Sequence, residues 1–320
     1  MSTNVDAITF KANVGQGAEP DRIPAPPVSL EPLIQGGRNW TRWAGSAVSI
    51  LILMMVAYEL RTIDFANLFG LIPAGITFWI VFAAYYFAAP VSEWIIFRRL
   101  WALPLEGFGA LMRKIVSNEI LLGYLGEVYF YAWARRRTRI TTAPFGAIKD
   151  VAVLSAIMGN VFTLLLVVAA SPLFGALQLG MNKRAFVAST FFILLSSLGA
   201  LVLRKRLFTL PRRELWVVAA IHAARITVML LLAAVMWHML LPSVALSWWL
   251  LLGTFRQLIS RLPFLPNKDV VFAGMAAFLV GPDVEIVSAV TLMASLILAA
   301  HLVVGGLLGA AELAKPAADR

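Results

Sequence analysis

Long apolar runs alternate with short polar or basic breaks from Ala44 to Ala311. A helix that crosses a bilayer needs about 20 mostly apolar residues. Spans are predicted at Ala44–Leu60, entered by Trp40 and Trp43, and at Leu71–Trp94, with Pro73 and Pro90 near its ends. Further spans are predicted at Val151–Leu173, Ala185–Leu203, Leu215–Leu241, Leu246–Leu262 and Ile286–Ala311. Val270–Val280 is apolar but too short to cross. The pattern predicts an all-α polytopic transmembrane helix bundle of about six to eight spans. Two segments break it: Leu105–Arg137, apolar yet carrying Arg113, Lys114, Glu119 and Glu127, and the proline-interrupted LPFLPNKD, Leu262–Asp269. Both are expected as broken or re-entrant elements, because irregular backbone is tolerated at membrane depth only where it is buried or lines a wet cavity.

Composition agrees with the pattern. Hydrophobic residues make up 60% and charged residues 14% of the chain, against roughly 45–50% and 25% in a soluble domain. The +10 net charge would suggest a nucleic-acid partner in a soluble protein. Here the basic residues flank apolar spans, so the positive-inside rule accounts for them and no nucleic acid is expected. Arg38, Arg42, Arg98, Arg99, Arg135–Arg137 and the 204–206 cluster fall on one set of flanks, and only Arg61, Lys183 and Arg184 on the other. That asymmetry predicts a cytoplasmic N-terminus in a plasma (inner) membrane. Residues 1–37 lack the apolar core of a signal peptide and hold PDRIPAPPVSLEP, which reads as a disordered cytosolic tail. The domain reading is therefore tail 1–37, transmembrane domain 38–311 and a polar C-terminal stretch 312–320. No cysteine is present, and His222, His238 and His301 are scattered, so neither a metal nor another cofactor is expected.

Charges inside spans need a reason, since each costs at least ~2.5–3.5 kcal/mol near the bilayer centre. Arg225 sits mid-run, with His222 at i−3 on the same face. It reads either as a site for a lipid phosphate, contacted bidentately, or as the structural partner of Glu127, Asp150 or Asp269. Arg256 and Arg261 read either as snorkelling to the interface or as a basic wall along a headgroup path. Gly123 and Gly126 in GYLGEVYFYAWARRR permit a turn or a close backbone approach. They would place Glu127 against a polar cavity; the alternative is an interfacial amphipathic helix with Glu127 simply solvated. Pro263, Pro266 and Asp269 occupy the corresponding place in the second broken segment, and such a pair of interruptions points to a transport site.

LLGYLGEVYFYAWARRR, with Gly123, Gly126, Glu127 and Arg135–Arg137, resembles the signature of the lysylphosphatidylglycerol synthase membrane region, a flippase-like family of integral membrane proteins. WIIFRRLWALPLEGFGALMRKIVSNEI and LPFLPNKDVVFAGMAAFLVG are similar to it as well, although Asn267 and Lys268 stand where that family has glycines. The resemblance covers roughly residues 44–311. It implies a membrane part without the soluble transferase domain that follows it in aminoacyl-lipid synthases, and with membrane lipids as partners. Glu127, Arg225, His222, Arg256 and Asp269 are the candidate substrate-binding residues of a lipid translocase, with no catalytic residue assigned. The alternatives are a non-catalytic membrane subunit of an envelope assembly and a membrane-embedded lipid transferase. The lipid and the oligomeric state are not legible in the sequence.

Overall fold

The first long helix described, α1 (Ile76–Trp101), buries Phe78, Phe82 and Tyr85 near its start and Ile96 and Phe97 near its end. It stops where Ala102 turns left-handed (φ 51°) and its N–H closes on the Arg98 carbonyl. Pro104 then prevents any continuation. The computed structural model describes residues 54, 73–121, 124–136, 144–170, 208–261, 268–280 and 284–314, all within one compact unit, Gly36–Arg320. Two short helices, α2 (Glu106–Ile120) and α3 (Leu125–Arg135), lead to a long one, α4 (Pro144–Ala170). The same order then recurs: long α5 (Arg212–Leu240), short α6 (Leu246–Ile259) and α7 (Lys268–Val280), long α8 (Val284–Leu313).

Among the described residues every regular element is a helix. α1, α4, α5 and α8 are long and apolar enough to cross a membrane, which makes this a membrane protein. Their outward faces carry exposed large apolar residues, among them Ile76, Ile80, Leu165, Val168, Leu231, Val303 and Leu307. In water such a belt would be a liability; in lipid it is the solvated face.

Several boundaries differ from expectation; α4, predicted from Val151, already begins at Pro144. α1 runs past Trp94 to Trp101, with Pro90 buried inside it rather than near its end. The proline removes only the hydrogen bond to the Tyr86 carbonyl, and the helix is held on both sides of it by packing against α5. Leu246–Leu262 was expected to span, yet α6 has 14 residues, about 21 Å of helix against a hydrocarbon core of ~30 Å. Its polar end, Arg256 to Arg261, turns inward to other helices instead of outward to a headgroup layer. The last helix reaches Leu313, two residues beyond the predicted end of the span. The expected spans Ala44–Leu60 and Ala185–Leu203 lie outside the described residues, as do Gly123, Pro263, Pro266 and the 1–37 tail.

The two halves pack alike. α2 packs on α3 and α6 on α7; α3 on α4 and α7 on α8; α1 on α2 and α5 on α6. Each half also sends its first short helix against the last long helix of the other: α2 on α8 and α6 on α4. The leading helices α1 and α5 lie side by side and antiparallel. Arg99 near the end of α1 pairs with Glu214 at the start of α5 (2.6 Å). Phe78, Phe82 and Tyr85 at the other end cluster with Ala233, Ala234 and Trp237. A two-fold relation between the halves therefore runs across these helices and not along them, so the short pairs follow from opposite ends of the bundle.

Candidate functional site

Each short pair is a helical hairpin closed by side chains. In the first, Tyr124 takes a left-handed conformation (φ 76°) at the turn. The Asn118 side-chain oxygen then accepts from the Gly126 N–H at 2.7 Å, satisfying one of the orphan donors of the new helix. Gly126 is required by space: a Cβ there would stand 2.0 Å from the Lys114 carbonyl oxygen. Arg113, further back on α2, donates to the Tyr129 hydroxyl at 3.1 Å, lies 5.2 Å over its ring, and reaches the Leu308 carbonyl and Glu312 of α8.

Across this hairpin Lys114, 3% exposed, donates to both oxygens of Glu93 on α1 at 2.7 Å. It also pairs with Glu127 on α3 at 3.3 Å. Two carboxylates thus share one ammonium, and the second Glu127 oxygen, also buried, has no hydrogen-bond partner. A buried ion pair holds only while its remaining groups are satisfied, so this cluster carries surplus negative charge toward whatever faces Glu127.

The second hairpin repeats the arrangement with other residues. Arg256 on α6 pairs with Asp269 on α7 and donates to the Tyr85 hydroxyl of α1. Lys268 donates to the Ser260 carbonyl at 3.1 Å, where a helix C-terminus attracts positive charge. The spacings coincide: Lys114–Glu127 and Arg256–Asp269 are each 13 residues apart, and Asn118–Gly126 and Ser260–Lys268 each 8 apart. One step of 142 residues carries all four of the first set onto the second.

The hairpins meet on a cavity of about 460 Å³ to which all eight helices contribute, within the range of sites for small molecules and head groups. Glu93, Lys114, Glu119, Glu127, Arg225, Arg256, Arg261, Lys268 and Asp269 all line it. Arg225 is at the middle of the 29-residue α5, so the cavity lies at mid-depth. Arg225 donates to the Ser155 hydroxyl of α4 at 2.9 Å. Arg261 lies against Gly159, one turn further along α4, so closely that a Cβ there would come within 1.7 Å of its Nη1. Its own hydrogen bonds go to the Ser260 hydroxyl, at 2.8 and 3.1 Å. Neither guanidinium has a carboxylate within ion-pair distance among the described residues. Both guanidinium groups thus rest against the same stretch of α4, where two like charges repel.

Of the residues singled out by sequence, Glu127, Arg225, Arg256 and Asp269 come together on this cavity. His222 does not line it; its side chain is fully buried one turn before Arg225. Arg225 pairs with none of the three carboxylates proposed for it. Glu127 is taken by Lys114 and Asp269 by Arg256. Asp150 accepts from the backbone N–H groups of Thr209 and Leu210 and from the Thr209 hydroxyl, at 2.6–2.8 Å, tying the entry of α5 to α4. Glu119 also lines the cavity. Arg256 and Arg261 turn into the cavity instead of snorkelling. Glu93 and Tyr85 were not singled out by sequence. The signal for Glu93 was a lone carboxylate inside an apolar run, the same signal that drew attention to Arg225.

No protein-family profile, curated protein or solved structure matches this chain.

Proposed function

We propose that the protein is a lipid translocase of the plasma (inner) membrane, N-terminus cytoplasmic, in which polar head groups pass through the cavity between the two hairpins. The observation that carries this reading is the pair of hairpins. Two short-helix elements of equal charge spacing start from opposite ends of an antiparallel helix pair and converge on a charged cavity at mid-depth. Neither hairpin is long enough to cross, so each enters and leaves by one face. Paired interruptions of this kind, with the site at the interface of inverted repeats, are how secondary transporters build a midplane site open to either side in turn. The lining mixes nine charged side chains with apolar ones, while the outer faces of α1, α4, α5 and α8 remain apolar, as an amphipathic substrate requires. The resemblance of Gly123–Arg137 to the flippase-like lysylphosphatidylglycerol synthase membrane region supports the same substrate class.

The test is translocation in proteoliposomes containing fluorophore-labelled phosphatidylglycerol, phosphatidylethanolamine or lysyl-phosphatidylglycerol. Dithionite destroys only the outer-leaflet dye. The proposal expects at least one lipid to lose protection faster with protein than in protein-free vesicles, and Arg225→Gln to abolish the gain. Equal protection with and without protein for every lipid class, across either direction of an imposed gradient, overturns it.

A further inference from the structure

We infer that Arg225 of α5 and Arg261 of the turn after α6, which rest against Ser155 and Gly159 of α4, form a clamp for a tetrahedral phosphate group, as a monoester or diester. The inference deepens the translocase reading and rests on it for the source of that phosphate. Lys114 is compensated twice, by Glu93 and Glu127, and Arg256 once, by Asp269. Lys268 is spent on the carbonyl that ends α6. Of the cations that line the cavity, that leaves Arg225 and Arg261, neither with a carboxylate at ion-pair distance among the described residues.

The two are held where they are by built contacts. Arg225 comes from the middle of α5 and is fixed by Ser155. Arg261 comes from the turn after α6, is fixed by Ser260, and fits only because residue 159 has no side chain. Ser155 and Gly159 are one turn apart on α4, a separation of ~5–6 Å. Two planar guanidinium forks brought to neighbouring turns of one helix match a phosphate, which each can contact bidentately, better than they match a carboxylate. Each guanidinium uses only part of its five donors on the serines, and both line the open cavity. Counting the lining charges, with carboxylates ionised and lysines and arginines charged, the cavity holds five cations and four carboxylates. One monoanion, such as a phosphodiester, brings it to neutrality. Glu93 and Glu127 lie on the first hairpin's side of the cavity with Lys114 between them, so the head-group portion beyond the phosphate meets a net acidic surface.

The experiment is binding to the purified full-length protein in a non-ionic detergent, by isothermal titration, with three probes: inorganic phosphate, dihexanoyl phosphatidylglycerol and dodecanoate. The clamp predicts that the phosphodiester lipid binds saturably and at least tenfold tighter than dodecanoate. Arg225→Gln and Arg261→Gln each weaken it tenfold or more, and Arg261→Lys, which keeps the charge but loses the fork, weakens it severalfold. Gly159→Ala is the second route: it removes no charge and lies on a different helix, yet should displace Arg261 and cost a similar factor. A variant that fails to fold is replaced in the comparison by Arg261→Lys and Gly159→Ala. Inorganic phosphate binding as tightly as the lipid, and lost in the same variants, keeps the clamp but assigns it to free phosphate, and then it is the translocase reading that fails. Equal affinity for the lipid and dodecanoate, no saturable binding of either phosphate probe, or phosphate binding unchanged in Arg261→Lys and Gly159→Ala, overturns the clamp.

Discussion

The two hairpins share a geometry and differ in charge. The first sets Lys114 between Glu93 and Glu127 and adds Glu119 to the cavity wall. The second sets Arg256 against Asp269 and adds Arg261 and Lys268. The cross-hairpin pair therefore belongs to the architecture, because it recurs at the same 13-residue spacing with different residues. The surplus belongs to the substrate: acidic on the first side, basic on the second. A structural ion pair in a low-dielectric interior offsets its own desolvation at best, whereas a charge left over must be met by water or by a ligand.

The comparison is broken most severely by removing its shared cations. Lys114→Met strands the buried Glu93 together with the partly exposed Glu127 and should cost about 3–5 kcal/mol. Arg256→Met strands only Asp269, 17% exposed in the cavity, and should fall at or below the lower end of that range. Thermal unfolding of the detergent-solubilised protein measures both, and equal losses would mean the first cluster is not the more heavily loaded. Next comes closure. Gly126→Ala drives a methyl into the Lys114 carbonyl and should cost about 1–3 kcal/mol. Lys268→Ala gives up one hydrogen bond to Ser260, worth about 1 kcal/mol.

The carboxylates should rank in the opposite order to the cations. Asp269→Asn leaves Arg256 with Tyr85 alone and should cost about 1–3 kcal/mol. Glu127→Gln leaves Lys114 still held by both oxygens of Glu93 and should cost less than about 1 kcal/mol. A larger loss for Glu127→Gln would show that Glu93 does not hold Lys114 by itself. The smallest effect on stability belongs to Glu119→Gln, which breaks no ion pair or hydrogen bond among the described residues and should stay within about 0.5 kcal/mol. Its effect should appear in lipid translocation instead, since Glu119 faces the path; a variant that transports like the wild type would remove Glu119 from that path.

Sequence made the membrane class and the long helices legible, because a period-independent apolar run of more than 20 residues has few other readings. It also marked Glu127, Arg225, Arg256 and Asp269, because a charge in an apolar run is costly wherever it points. It did not reveal their partners. Lys114 looked like one more basic residue of an amphipathic stretch, and only the approach of α3 at Gly126 turns it inward. Arg261 looked like a helix-end arginine free to snorkel. Its place in the cavity depends on α6 stopping at Ile259 and on Gly159, a residue 102 positions earlier, leaving room. Pairing between distant helices is set by packing, and hydropathy carries no record of it.

The most direct test of the account is the side from which each hairpin enters. The chain has no native cysteine, so single cysteines report cleanly. Glu106→Cys marks the exposed base of the first hairpin and Ser243→Cys that of the second. With an impermeant maleimide on intact cells and on inverted vesicles, the account predicts that residue 106 reacts only in the inverted vesicles and residue 243 only in the intact cells. Labelling of both positions from the same side would contradict the opposed hairpins and, with them, a cavity reached from both faces of the membrane.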